Sequence, residues 1–357
     1  MVPLRFSTFL AMAAIGWSGV AHATYGVIDL GTNFSGQGLN EAGIVSGSVG
    51  GSAAIWSSGS LIVLPNGNLY GGPVSAISVN AGGVILGTGA GATGSTSPIV
   101  PGMPPSLGGV VTWSTPTSAP TLIASSFIGH GGSSIYSAVA LDDAGDILYH
   151  ATQTPGNPML GTDTSYVWSA SSGTATQAVL CVMGGCASSA TDMNDSGKVV
   201  LNFGGAVGMW QAGSSTMVTS GFTATALNNV GDIVGNTYSG TAMFWNGNLN
   251  VSLGSGSAED VNDAGMVVGQ STDGSALLWA GAGAPAVRLD SLVDPSLGWH
   301  FTNALKINNQ GEILAIGTMG SSTDLHTVLL RAVPEPATYA VLVAGLGSLL
   351  LRRRHPR

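Results

Sequence analysis

The sequence predicts an all-β protein built from one unit used seven times, and three observations carry that reading. The first is composition. Among 357 residues there are 55 Gly, 9 basic and 18 acidic side chains, and 44% of the chain is hydrophobic. Helix interiors lose about 1 kcal/mol for each Gly and favour Ala, Leu, Glu, Lys and Arg. Here Lys and Glu are scarce, while Gly, Ser, Thr and Val dominate. Apolar content this high and charge this low exclude a disordered chain, and glycines without a three-residue period exclude collagen. The second observation is an internal repeat, and the third is that one copy of it is split between the two ends of the body.

The unit reads apolar, Asn, Asn or Asp, any residue, Gly, any residue, then two apolar residues. Its copies start at Leu39, Val79, Leu141, Met193, Leu227, Val261 and Ile307. Their closing glycines are Gly43, Gly83, Gly145, Gly197, Gly231, Gly265 and Gly311, separated by 40, 62, 52, 34, 34 and 46 residues. Asn or Asp caps a turn by bonding to backbone two residues on, and Gly supplies the left-handed conformation that closes it, so each copy is a hairpin. In copy five, Asp232-Ile233-Val234-Gly235 is the second strand. A third strand ends in Trp in six copies, at Trp56, Trp113, Trp168, Trp210, Trp245 and Trp279, and Val328-Leu329-Leu330 takes that place in the seventh. Turns such as Asn246-Gly247 lead to a fourth strand such as Leu249 to Leu253.

A helical repeat is excluded by the missing 3.6-residue period. Seven four-stranded antiparallel sheets over residues 24–331 point to a seven-bladed β-propeller, with a β-solenoid as the alternative. The seventh copy has three strands of its own, and Gly26-Val27-Ile28-Asp29-Leu30-Gly31 matches the fourth-strand pattern Asn250-Val251-Ser252-Leu253-Gly254. An N-terminal strand closing the last blade leaves no open sheet edge, which a ring requires and a solenoid does not.

Residues 1–23 read as a signal peptide. Arg5 precedes an apolar helical core from Phe6 to Val20, and Ala21-His22-Ala23 is a small-x-small cleavage site with Ala21 and Ala23 as its small residues. The body is therefore expected to cross the inner membrane. Residues 332–357 form a tail in which Pro334-Glu335-Pro336 is followed by an apolar run over 337–351 and by Arg352-Arg353-Arg354. As a transmembrane helix that run spans roughly 22 Å against a bilayer core of ~30 Å, and arginines at its end snorkel and stay cytoplasmic. The two prolines stop the helix from continuing upstream.

This tail resembles the PEP-CTERM sorting domain of Gram-negative bacteria that make exopolysaccharide. The resemblance implies an exosortase-type enzyme that recognises Pro334-Glu335-Pro336, removes the tail and passes the protein to the cell surface. Until then the helix would hold it in the inner membrane. A plain C-terminal anchor is the alternative. The repeat units, with Asp29-Leu30-Gly31, Asn228-Asn229-Val230-Gly231 running into Ile233-Val234-Gly235, and Ala242-Met243-Phe244-Trp245, resemble the extracellular HAF repeat family over most of residues 25–331. That family implies surface export and a propeller-like body, and no settled activity. The third copy departs from it with Asp142 in place of Asn.

The body holds 17 acids against Lys198, Arg288, Lys306 and Arg331. An acidic surface repels nucleic acid and anionic lipid. Cys181 and Cys186 flank Val-Met-Gly-Gly and read as a disulfide outside the cytoplasm, with two free thiols as the alternative. No metal site is expected, because His130, His150, His300 and His326 are not spaced as ligand pairs. Asp142, Asp143 and Asp146 suggest calcium only weakly, since turn capping already explains them. Gly89 to Gly94 matches a phosphate-loop pattern, yet prolines follow where a helix is needed, so no nucleotide or other cofactor is expected. Repeat tryptophans read as packing residues, and Trp299, outside the repeat register, reads as an exposed aromatic.

No catalytic constellation stands out. The long segments 88–109, 125–136, 150–164, 181–190 and 290–302 all join strands on the side opposite the Asn turns, and loops gathered on a rigid scaffold are where binding usually sits. Poor in charge, they suit a neutral partner such as exopolysaccharide. The reading is a non-catalytic surface or biofilm-matrix protein; the alternative is an extracellular glycan-active enzyme with carboxylates on the loop face. Ice adhesion is disfavoured, because pairs such as Thr162–Thr164 and Thr223–Thr225 do not recur in repeat register.

Overall fold

Seven antiparallel sheets follow one another along the chain in a computed structural model that describes residues 24–66, 73–89, 109–129, 132–155, 162–178 and 188–333. The innermost strands of blades 1 to 7 are Phe34–Leu39, Val74–Val79, Gly132–Leu141, Ser188–Met193, Thr223–Leu227, Ser257–Val261 and Trp299–Ile307. Each packs beside the next, and the strand of blade 7 packs beside that of blade 1, so the array is a ring and not a solenoid. Tyr25–Val333 forms one unit. The signal segment, the sorting tail, the cysteine pair and His130 lie outside the described residues, and among those described no helix is long and apolar enough to cross a membrane.

Blade 7 is composite, as the split repeat requires. Its strands run Trp299–Ile307, Ile313–Met319, His326–Val333 and then Thr24–Gly31. Alternation along that last strand serves both neighbours. Tyr25 and Val27 join the cluster shared with Leu278 and Val268 of blade 6, while Ile28 and Leu30 pack against Phe34, Val45 and Trp56 of blade 1. Blade 3 departs from four strands. An extra strand, Phe127–Gly129, pairs with the start of its long inner strand and makes the sheet five-stranded.

The hairpin turns have the predicted chemistry. Gly231 has φ +103° and Gly145 φ +87°, in the region that a Cβ disfavours. A feature absent from the expectation recurs just before each turn. Every inner strand slips register by one residue, as between Ala190 and Asp192 or Ala258 and Asp260. Such a bulge bends and twists the strand, fitting it to the narrow inner circle of the ring.

The apolar core is divided into clusters, most of them between blades. Trp279, fully buried in the cluster joining blades 5 and 6, donates its indole N–H to Leu253 O of blade 5 at 2.9 Å. Trp113 does the same from blade 2 to Pro65 O of blade 1 at 2.8 Å. Packing between blades is thus the role of the repeat tryptophans, with the polar edge of the ring satisfied as burial demands.

Candidate functional site

The seven Asn turns meet at one end of the central channel and form two rings of hydrogen bonds. In the first, the leading residue of six of the seven turns sends its side-chain amide to the backbone carbonyl of the same residue one blade on. Asn40 Nδ2 donates to Asn80 O at 3.0 Å, Asn80 to Asp142 O at 3.0 Å, and Asn194 to Asn228 O at 3.0 Å. Asn228 continues to Asn262 O at 2.9 Å, Asn262 to Asn308 O at 3.1 Å, and Asn308 returns to Asn40 O at 3.0 Å. All seven leading residues are buried, so these groups must find partners inside the protein. The joint from Asp142 to Asn194 is the one that lacks an amide donor.

The second ring runs through the next residue of each turn, whose side chain accepts the backbone N–H of the preceding blade. Asp143, Asp195, Asn229, Asp263, Asn309 and Glu41 accept in turn from Ala81, Asp143, Asp195, Asn229, Asp263 and Asn309, over 2.8–3.2 Å. Ala81 has no acceptor to offer Glu41 N–H. Burial pushes the Glu41 carboxyl up, and Asp263, Asp143 and Asp195 add like charge.

Deeper in the channel, the position two residues before the Asn brings Asp192 of blade 4, Asp260 of blade 6 and Lys306 of blade 7 onto one cavity of about 220 Å³. Lys306 Nζ lies 3.6 Å from Asp260 Oδ1; its side chain is about one-third open to the channel, yet protein surrounds it. Asp192 Oδ2 accepts from Leu227 N–H and Asp260 Oδ2 from Ile307 N–H, both at 2.9 Å. Burial pushes Asp192 up to about 6 against the pull of Lys306, and raises Asp260. Asp260 in turn raises Lys306. The bulge residues Gln37, Thr191, Thr225, Glu259 and Leu305 line a second cavity of about 410 Å³. Sequence reasoning missed this trio, because nothing in the repeat marks the position before the turn as chemical.

The turn glycines sit where expected. Trp299 does not. It opens the inner strand of blade 7, is half-buried, stacks on Phe301 at 5.8 Å and meets His326 edge-on at 5.4 Å. An extra bulge between Phe301 and Asn303 shifts this strand, so register with the other copies misleads there. His326 Nδ1 lies 3.0 Å from Asp29 of the closing strand, and His300 Nδ1 lies 2.6 Å from Asp290. His150 pairs with Ser165 Oγ at 2.9 Å. Asp142 and Asp146 spend carboxylate oxygens on the N–H groups of Asp146 and Ala170, at 2.7 and 2.8 Å. Among the described residues no cluster of three or more His, Cys, Asp or Glu has metal-holding geometry.

The long segments shrink in the structure. Strands extend to Gly89 and from Gly109, and to Pro155 and from Thr162, while two short 3₁₀ turns, Leu289–Leu292 and Pro295–Leu297, and the start of strand Trp299–Ile307 occupy most of 290–302. A ladder of Tyr136, Tyr149 and Tyr166 crosses three strands of blade 3, with Tyr149 and Tyr166 stacked at 5.5 Å. Burial pushes the Tyr149 hydroxyl up to about 12.

No family model matches this chain, and no curated protein does. Among solved structures it is similar to the β-propeller domain of the Trilobed protease from Pyrococcus furiosus, with TM-score 0.53 and 10% identity over 86% of this chain and 96% of that one. It is also similar to YCF48 from Cyanidioschyzon merolae, with TM-score 0.50 and 14% identity over 88% of this chain and 100% of that one. At such identities the likeness establishes the fold alone. The Trilobed protease domain is described as having an open velcro topology; here strand Thr24–Gly31 completes blade 7, and the chain is a closed seven-bladed β-propeller.

Proposed function

We propose that this chain is an exported surface or matrix protein whose propeller binds or supports and does not catalyse. The observation that carries the non-catalytic part is the use made of the channel carboxylates. Glu41, Asp143, Asp192, Asp195, Asp260 and Asp263 each accept a backbone N–H from a neighbouring blade. A general acid or nucleophile must present its oxygens to a substrate, and each of these carboxylates commits at least one oxygen to holding the ring together. Export is supported by the signal-type N-terminus and by Pro334-Glu335-Pro336 with its apolar run and arginines. Low charge in the segments joining strands opposite the Asn turns favours exopolysaccharide as the partner.

The competing reading is a glycan-active enzyme, which needs two carboxylates about 5–10 Å apart and open to a sugar. Asp192 and Asp260 are its best candidates. One experiment separates the two. The secreted protein is incubated with the producer's exopolysaccharide and with control glycans, and both retention and release of new reducing ends are measured. Retention without release is expected. Release that disappears in Asp192→Asn would reassign the protein as an enzyme, and neither retention nor release would sink the carbohydrate reading. Mass spectrometry of the surface-released form should place its C-terminus near Pro334–Pro336; a retained Arg354 would favour a plain anchor.

A further inference from the structure

The first hydrogen-bonded ring has seven equivalent joints and six identical bonds. Asp142 adopts the arrangement of the asparagines. Its Oδ1 accepts the N–H of Asp146 at 2.7 Å, as Asn228 Oδ1 accepts from Asp232 at 2.8 Å and Asn262 Oδ1 from Met266 at 3.0 Å. Its own carbonyl receives the Asn80 amide. From that shared arrangement we infer that the second carboxyl oxygen takes the place of Nδ2 in the other six turns, toward the carbonyl of Asn194. An ionised carboxylate is acceptor-only, whereas a protonated one carries an O–H donor.

We propose that Asp142 is a proton-operated latch between blades 3 and 4, open when its carboxylate is ionised and closed when its O–H donates to Asn194 O. The step moves one proton from solvent to the carboxylate and breaks no covalent bond. The surroundings favour the protonated form. Asp142 is 2% exposed. Asp146 on its own turn and Asp195 on the turn of blade 4 act on it with like charge. Asp143 follows it in the chain, Lys198 is the one base on the blade 4 turn, and the blade 2 turn, Asn80 to Gly83, carries no charge. Burial, reinforced by Asp146 and Asp195, holds the carboxyl at about 6. The latch thus works between neutral and mildly acidic pH.

The sign follows from linkage. A carboxyl whose folded value lies above its unfolded one makes the native state bind more protons, so stability rises as pH falls from above 6 toward 4. Asp192 contributes in the same direction, so the test is a difference between two proteins. Thermal unfolding of the wild type and of Asp142→Asn is followed from pH 8 to pH 5. The variant carries the amide of the other six turns. It should melt about 2–4 °C higher at pH 8, the shift of one regained hydrogen bond, and the gap should close toward pH 5. A variant no more stable than wild type at pH 8, or a gap that does not change with pH, overturns the latch. Should that variant not be secreted, amide exchange of the wild type decides. Corrected for intrinsic rate, protection over 190–198 must be higher at pH 5 than at pH 8, and equal protection overturns the proposal.

Discussion

Blades 5 and 3 descend from the same unit and solve the same packing problem differently. In blade 5, Gly235 stands on the second strand where a Cβ would come within 2.1 Å of Thr223 O, so the sheet closes tightly on its inner strand. In blade 3 the matching residue is Tyr149, which stacks on Tyr166 and meets Tyr136 at a tilt in a sheet widened by an extra strand. Blade 5 has Asn228 at the head of its turn and completes both rings, while blade 3 has Asp142 and interrupts one. The two changes are not tied to each other: blades 4 and 7 carry Leu201 and Ala315 at the glycine position and still keep the turn amides of Asn194 and Asn308. The blade is a tolerant module, and its joints to the neighbours are the demanding part.

The largest test of that contrast lies at the seam. Placing Asp at both Val27 and Leu30 removes apolar contacts with blades 6 and 1 and desolvates charge, at a cost of several kcal/mol. Shortening the 90–106 segment should change the melting temperature little, because loop length enters stability only logarithmically. A seam variant that melts no earlier than the loop variant would mean that Thr24–Gly31 does not hold the ring.

Exchanging the two second-strand residues comes next. Gly235→Tyr meets backbone and should cost more than the 1–3 kcal/mol of ordinary overpacking, while Tyr149→Gly should cost about 3–5 kcal/mol through the lost stack. Denaturant unfolding checks both. If Gly235→Tyr were tolerated, tight closure would not be what the glycine provides.

Asn228→Asp is smaller and more specific. It removes one amide from a buried ring, costing about 1–3 kcal/mol at pH 8, and the loss should shrink as the pH is lowered. A loss independent of pH would mean that the aspartate fails as a donor even when protonated. Arg288→Ala should change stability least, because its pair with Asp273 is exposed on both sides. A larger drop would show that this outer strand of blade 6 depends on its ion pair.

Much of this architecture was legible in the residues. The turn glycines, the strand-ending tryptophans and the N-terminal closing strand are local patterns whose physics is the same in isolation as in the fold. Blade 3's extra strand was not legible, since Phe127-Ile128-Gly129 is too short to carry a period. Asp192, Asp260 and Lys306 come together only because a bulge re-aims three inner strands into one channel, and a bulge leaves no mark in an otherwise alternating strand. Trp299 misled for a related reason: a second bulge in its strand moves it out of the register by which it was judged. The ring of amides was half visible. Asn at the head of each turn was read as a local cap, and it is one, but its other end grips the neighbour.

That grip points the same way around the disc at all six joints that have it, from a blade to the one that follows in the chain and from the seventh back to the first. Nothing in such a circuit records where the polypeptide starts. Gly26 lies against Val333 in the seam, with an added Cβ meeting its side chain at 3.3 Å, so the two ends of the body are side by side. A short linker from Val333 to Thr24, with new ends opened at the exposed turn around Gly247, should therefore give a circular permutant that closes without a seam in blade 7. Its blade 5 would then be the one assembled from two distant segments.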